Sequence, residues 1–230
     1  MNEIQQNFTI TVASLVFAAV ISGLPAQASD VTESNALVEK AQTTINAFAN
    51  NKDFPGLKSA LGQAKGVLIF PQILKAGFIL GGSGGSGVLL VRDEKTGNWI
   101  GPAFYTMGSA SLGFQAGASA AEVVMLVHSQ KALDSLYSNK LKLGADASVA
   151  VGPKGLGAGA SITADFITYS TVKGAFVGMA VDGSVLDVRD SLNAAYYGKS
   201  VTPMDILVKQ DVSNNLASAG LQAALKKASK

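Results

Sequence analysis

The glycine-rich stretch GGSGGSG at residues 81–87 has the residue types and spacing that most resemble a binding motif. Gly82, Gly84 and Gly87 follow the G-x-G-x-x-G spacing of dinucleotide-binding loops, in which N–H groups at a helix start hold a pyrophosphate. That chemistry requires a helix after the glycines, but the segment that follows, VLLVRD, alternates like a strand. We therefore predict no nucleotide, and we expect valine at Gly84 or Gly85 to damage folding before it affects a ligand. The glycines are interpreted as structural, in a bulge or tight bend where the backbone passes close to a neighbour: Gly81, Gly82, Gly84, Gly85 and Gly87.

Few of the remaining side chains are suited to catalysis or metal binding. Gly198-Lys199-Ser200 resembles the end of a phosphate-binding loop, but the earlier glycine of that motif would fall at position 193, which is Asn193. The chain has no cysteine and one histidine, His128, so thiolate chemistry is excluded and zinc ligands are too few. No serine lies in the strand-to-helix elbow that a catalytic G-x-S-x-G motif requires, and His128 is better explained as a strand-end residue with a backbone hydrogen bond. We predict no catalytic residue, no metal and no cofactor.

Lysines near apolar residues are the remaining candidates for binding chemistry. Such lysines bind anionic membrane surfaces, and each contributes about 1 kcal/mol before screening by salt. Lys58 and Lys65 lie around a short predicted helix, and Lys75 precedes the glycine stretch, so these three are our candidate lipid-binding residues. The whole chain has 18 Lys and Arg against 16 Asp and Glu. This balance does not predict nucleic-acid binding.

Helical periodicity predicts the elements at both ends of the chain. Apolar residues at helical spacing predict a helix that ends at Asn50-Asn51 and begins with Asp30 and Glu33 as a capping box. A second, short helix is predicted at about residues 55–63. The Ala- and Lys-rich tail from Ser213 also has the pattern of a helix.

From Gly66 onward the pattern is mainly that of strands. Short apolar segments alternate with turn signals, including a polar hairpin turn at residues 93–98 and a turn at Asp182-Gly183. A short helix capped by Ser129 is predicted in mid-chain. We count about nine strands and four or five helices. The predicted fold class is α+β, a largely antiparallel, strongly coiled β-sheet or sandwich with several short helices.

The N-terminus has the pattern of a secretory signal. An apolar stretch at residues 8–21 is too short for a comfortable membrane span, and the small residues Ala26-Gln27-Ala28 follow it. We predict a cleaved signal peptide at 1–28 and a single domain at 29–230, exported to the periplasm or associated with the outer membrane. The segment before the apolar stretch contains Glu3 and no Lys or Arg, which leaves an uncleaved anchor as the alternative.

The order of motifs from about Ala36 to Val208 resembles the SYLF domain family, found in bacterial envelope proteins and in eukaryotic cortical actin and membrane-trafficking proteins. The pieces that carry the resemblance are Lys65-Gly66, Lys75-Ala76-Gly77-Phe78, the run from Gly97 to Pro102 with Trp99, the run from Gly144 to Pro153, and Gly174 with Gly178 in KGAFVGMAVDGS.

The resemblance implies a non-catalytic module that binds lipid. Eukaryotic relatives bind phosphoinositides, including phosphatidylinositol phosphates, with help from a basic N-terminal helix, and some bind actin. This chain departs from that pattern, because a signal replaces the basic helix and the helix from Asp30 to Asn50 carries only Lys40 as a cation. We expect a phospholipid-binding or amphiphile-binding module of the bacterial cell envelope.

Two other classes of function stay open at this point. One is a periplasmic scaffold that binds a protein partner through a sheet edge or through the tail from Ser213. The other is an outer-membrane β-barrel, which export, alternating strands and abundant glycine would suit, although the strands are short and helices flank them.

Overall fold

A computed structural model describes residues 24–77, 80–112, 117–138, 140–152, 163–172, 175–176, 181–212 and 216–230. Its helices are α1 (Leu24–Ala49), α2 (Leu57–Gln63), α3 (Gln130–Leu136), α4 (Asp190–Tyr197) and α5 (Leu216–Ala228), with a π-helical turn at Asp205–Lys209. Its strands are β1 (Gly66–Gly77), β2 (Leu80–Arg92), β3 (Trp99–Leu112), β4 (Gly117–Val127), β5 (Lys140–Lys142), β6 (Val149–Val151), β7 (Phe166–Val172), β8 (Ala175–Phe176) and β9 (Val185–Val188).

The nine described strands form one sheet, with the order β5-β9-β3-β2-β1-β4-β7-β6 and with β8 also paired to β7. Every pairing between these strands is antiparallel except β6 with β7. The sheet is strongly curled, so the predicted α+β class with a largely antiparallel, coiled sheet is confirmed.

The central strands are buried on both faces, which explains their nearly continuous apolar sequence. Val67 and Ile69 of β1 pack in one core with α1, α4 and α5. The alternate residues, Leu68 and Phe70, pack in a second core on the other face, with α3 and the residues that follow α4. The sheet therefore holds the N-terminal and C-terminal helices together on one side.

Helix α1 begins earlier than the sequence indicates. It runs from Leu24, so Asp30 lies within the helix and the predicted capping box there is wrong. Pro25 is tolerated in a first turn, where its missing N–H has no helical partner, and Ala26, Gln27 and Ala28 are good helix formers. The predicted signal boundary after Ala28 thus falls inside α1 and stays a prediction.

Other local predictions agree with the structure. Asp93 Oδ1 accepts hydrogen bonds from the N–H groups of Lys95 and Thr96 in the hairpin turn before β3. Ser129 Oγ accepts a bond from the N–H of Ala132, which caps α3 as expected. The apolar stretch 8–21, Pro153 at the end of the run from Gly144, Gly174 with Gly178, and the start of the tail at Ser213 lie outside the described residues.

The glycine stretch lies inside β2, pairs with β3 along its whole length, and pairs with β1 only at residues 81–84. The irregularity belongs to the neighbouring strand β1, whose register shifts between Ile69 and Leu74 against β2, around Pro71 and Gln72. Proline has no N–H to donate to the sheet, which suits it to such a bulge. A Cβ at Gly85 would collide with the Gln72 carbonyl oxygen, and one at Gly87 would lie 2.5 Å from the Phe70 ring. The bend in β1 therefore requires bare backbone at two positions of β2.

The other glycines of the stretch have more space. A Cβ at Gly82 would lie 3.6 Å from the Ser109 carbonyl oxygen, and one at Gly84 would lie 3.4 Å from that of Met107, both ordinary contacts. Gly81 pairs with Gly77 of β1 and Ser111 of β3.

Candidate functional site

The candidate site is a groove between α1 and the bend in β1, which we call the α1 groove. It consists of two adjoining cavities of about 580 and 330 Å³. Both cavities are lined by Lys40 of α1 and by Pro71 and Gln72 of β1. Small-molecule sites in proteins have volumes of this order. The bulge that interrupts β1 is thus the same feature that opens a space under α1.

About half of the residues that line the groove are small or apolar, and the others are mainly threonines and charged residues. Ala120 and Ala121 of β4 lie at the larger cavity. Gly84 lies at the smaller cavity with Ala36 and Leu37 of α1. Because Gly84 has no side chain, the smaller cavity is deeper at this position.

Charged groups line the groove in three different states. Lys40 is exposed and makes no ion pair with any described residue. Glu33 Oε1 lies 3.2 Å from Arg189 Nη1, so its charge is paired. Glu122 Oε1 accepts a hydrogen bond of 2.8 Å from Thr44 Oγ1, and its Oε2 accepts one of 3.3 Å from Thr171 Oγ1. The Lys40 ammonium is therefore the cation available to an anionic ligand in the described part of the groove.

One end of the groove carries an exposed apolar residue. Leu74 of β1 lines the smaller cavity, and 57% of its surface is exposed. Lys75 follows it and points to the opposite face, because side chains alternate along a strand. There Lys75 is paired with Ser83 of β2 and Ser119 of β4. A leucine and a lysine thus lie together at this end of the sheet.

The three lysines predicted from sequence do not lie together. Lys58 is exposed on α2, and Lys65 Nζ lies 2.6 Å from Glu94 Oε1 at the start of β1. Lys75 lies at the other end of β1, about 30 Å away along the strand at about 3.3 Å per residue. Only Lys75 is close to the α1 groove, and its lipid-binding role stays a prediction. The prediction for Lys58 and Lys65 would require a second lipid contact, beside α2.

Lys40 and the groove were missed by sequence reasoning. Lys40 was visible only as an isolated cation on an acidic helix, and the cavity depends on how α1 lies over β1. The sequence did contain one indication of the bend in β1. Pro71 interrupts an apolar pattern that is typical of a central strand, and proline in such a strand marks a bulge.

His128 lies next to Asp165, and the two residues are joined through the backbone. The His128 N–H donates to the Asp165 carbonyl oxygen at 2.9 Å, which is the predicted backbone bond. The Asp165 carboxylate accepts hydrogen bonds from Ser129 and Ser148, and the His128 Nε2 has no partner among the described residues. Burial lowers the pKa of His128. The described residues contain no group of three His, Asp or Glu side chains placed to hold a metal ion.

Asp165 gives a prediction on acid stability. Hydrogen bonds from the Ser129 hydroxyl, and then from the Ser148 N–H, lower its pKa in the folded protein. A lowered pKa stabilises the fold above the unfolded value of about 3.9, and this is lost as pH falls through the folded value. We expect Asp165→Asn to lower the free energy of unfolding by about 1 kcal/mol at pH 7, and by less near pH 3. Urea titrations at both pH values measure this, with the exposed Asp134→Asn as control. Equal losses at both pH values would contradict it.

Comparison with known proteins gives the family of the chain. Residues 108–228 match the family model Ysc84, described as "Las17-binding protein actin regulator". An SH3 domain-containing protein of Schizosaccharomyces pombe is 32% identical over 184 residues, which cover 75% of this chain and 42% of that protein. LAS seventeen-binding protein 3 of Saccharomyces cerevisiae is 36% identical over 154 residues, 64% of this chain and 33% of that protein. SH3 domain-containing YSC84-like protein 1 of Bos taurus is 30% identical over 152 residues, 64% of this chain and 44% of that protein.

These matches agree with the family resemblance found in the sequence, and the description of that family names Las17 binding and actin regulation. The chain spans less than half the length of these three relatives. Within the described residues, no helix combines the length and hydropathy needed to cross a membrane. Because the family model covers more than half of the 230 residues, the chain belongs to the Ysc84 family.

Proposed function

We propose that the chain is a non-catalytic lipid-binding module of the cell envelope, which holds a phospholipid or a similar anionic amphiphile in the α1 groove. The observation that carries this proposal is the combination of apolar lining residues, such as Leu37 and Ala121, with Lys40, the cation of the described groove lining that has no ion-pair partner. An acyl chain on these apolar residues gains about 0.8 kcal/mol for each CH₂ group that it buries. The phosphate of the headgroup then lies within reach of the Lys40 ammonium.

The position of the groove supports contact with a membrane surface. Thr32 and Glu33, near the start of α1, line it together with exposed Leu74. The predicted signal segment ends within the first turns of α1, so the chain enters the domain near the end of the sheet that carries Leu74 and Lys75. We propose that this end faces the membrane and that the protein is exported, with cleavage after Ala28 or with the N-terminal segment kept as an anchor.

Vesicle binding tests the groove. We expect Lys40→Glu to weaken binding to vesicles of phosphatidylcholine with phosphatidylglycerol by about 30-fold, since reversing one charge changes about 2 kcal/mol at an anionic surface. Co-sedimentation of the purified protein measures this, with vesicles of phosphatidylcholine alone as the uncharged reference.

Lys58 and Lys65 provide the matched control. They lie at the other end of β1, so Lys58→Glu with Lys65→Glu is expected to leave binding nearly unchanged, while Lys75→Glu weakens it. If the Lys58 and Lys65 double variant loses binding and Lys40→Glu keeps it, the lipid contact lies beside α2 and the groove assignment is wrong. If neither the parent protein nor any of these variants binds either kind of vesicle, the lipid-binding proposal is wrong.

A protein-binding scaffold is the second candidate, and the family description favours it. One relative is named for binding LAS seventeen, and the family is described as an actin regulator. A stable protein partner recovered with the purified chain, together with no affinity for vesicles, would select this function over the first.

A further inference from the structure

We infer that a second groove, along α5, binds a polypeptide segment in which apolar residues precede acidic ones. This α5 groove has a volume of about 470 Å³ and lies between α5 and the turn that precedes β3. It shares no lining residue with the α1 groove, so the inference stands independently of lipid binding.

Three irregular features meet at this groove. The π-helical turn Asp205–Lys209 leads directly into Gln210, which lines the groove with a φ of 55°. Gln210 is the one non-glycine residue with positive φ in the described ranges. Trp99 also lines the groove and is 3% exposed, and its Nε1–H has no hydrogen-bond partner among the described residues. Backbone strain and an unpaired buried donor both destabilise a fold, and such features concentrate at binding sites.

The groove continues along one side of α5 as a graded surface. Ala219, Ala223 and Lys226 line it at helical spacing. Leu216, three residues before Ala219, lies on the same side of the helix and is 92% exposed. Val208 of the π-helical turn is also exposed. The surface is therefore apolar where α5 begins, at Leu216, and basic where it ends, at Lys226.

The charge at the basic end is available to a ligand. Lys226 Nζ donates to the Asn98 side-chain oxygen at 3.1 Å, which is a neutral partner. Asp93, the acid in the groove, has its Oδ1 occupied by two N–H groups of its own turn. An acidic side chain beside Lys226 would gain an ion pair, and the apolar residues before it would cover Leu216 and the two alanines. The occupant that complements both ends is an extended peptide segment.

The single tryptophan of the chain makes the test specific. Protein labelled with ¹⁵N-tryptophan gives one indole N–H signal, from Trp99. The probe is a synthetic peptide in which leucines precede glutamates, and its control has lysines in place of the glutamates. We expect the glutamate peptide to shift the signal saturably and the lysine peptide to leave it unchanged.

Variants on one helix separate a site from a general charge effect. Lys226→Gln is expected to weaken peptide binding about fivefold, the upper range for an exposed ion pair. Lys227→Gln removes the same charge one position away, outside the groove lining, and is expected to have little effect. Circular dichroism of both variants checks that they fold. An indole signal that the glutamate peptide does not move, equal effects of the two variants, or a signal that moves only with phosphatidylglycerol vesicles would each overturn the inference.

Discussion

Replacing Gly85 by valine is expected to lower the free energy of unfolding by about 3 kcal/mol or more. A Cβ at this position would overlap the Gln72 carbonyl oxygen and approach the Ile73 side chain to 2.9 Å. The bend of β1 cannot move away without breaking its pairing with β4 on the other side. Urea unfolding followed by circular dichroism measures the loss.

Gly84→Val is the matched variant, one residue away in the same strand. The expectation from sequence that valine here damages folding first is wrong for Gly84, because its Cβ has ordinary contacts; we expect stability within about 1 kcal/mol of the parent. The new side chain enters the α1 groove, so vesicle binding is expected to fall although the fold is kept. Equal destabilisation by the two valines would contradict the packing argument. A stable Gly84→Val protein with full lipid affinity would contradict the groove assignment.

The second large effect is expected at Asn193 of α4. Its side chain is fully buried, and its Oδ1 accepts a 2.9 Å hydrogen bond from the Phe104 N–H of β3. Asn193→Ala removes the acceptor and leaves that N–H buried without a partner, at a cost of about 1–3 kcal/mol in addition to the lost packing. We expect a total loss of about 3 kcal/mol in the free energy of unfolding.

Exposed Ser191 on the same helix provides the control. Ser191→Ala is expected to change the free energy of unfolding by less than about 0.5 kcal/mol. Calorimetry or urea titration compares the two variants directly. If Asn193→Ala is as mild as Ser191→Ala, the amide does not hold α4 against β3.

The sequence was informative wherever a local pattern decides structure. Alternation and turn chemistry predicted the sheet, the turn after Asp93 and the Ser129 cap, because these depend on neighbours within a few residues. The prediction that α1 begins with a capping box at Asp30 was wrong because the residues before Asp30 also favour a helix. The local signal at Asp30 therefore did not mark the N-terminus of the helix. The strand order was not predictable, since it is set by which strands pair across the two cores.

The sites depended most on non-local packing. In the sequence, Asn193 indicates only that a glycine required for a phosphate-binding loop is missing. Its hydrogen bond to β3 can be recognised only once it is known that α4 lies over that strand. The glycines were recognised as structural from their context, but only the bend in β1 separates Gly85, which is crowded, from Gly84, which lines a cavity. Lys58, Lys65 and Lys75 are close in sequence, but a strand carries the third away from the first two.

The strand order has a consequence for where this module can be divided in evolution or by cloning. The family match begins at residue 108, within β3, and includes β4, but β2 and β1 lie between these two strands in the sheet. With strands about 4.8 Å apart, β3 and β4 are separated by about 14 Å, and both strands that fill the gap come from earlier in the chain. A fragment cut at the matched border would therefore have to pair strands that are not neighbours in the whole protein. A fragment that keeps this sheet must therefore begin at or before β1, although the family match begins only at residue 108.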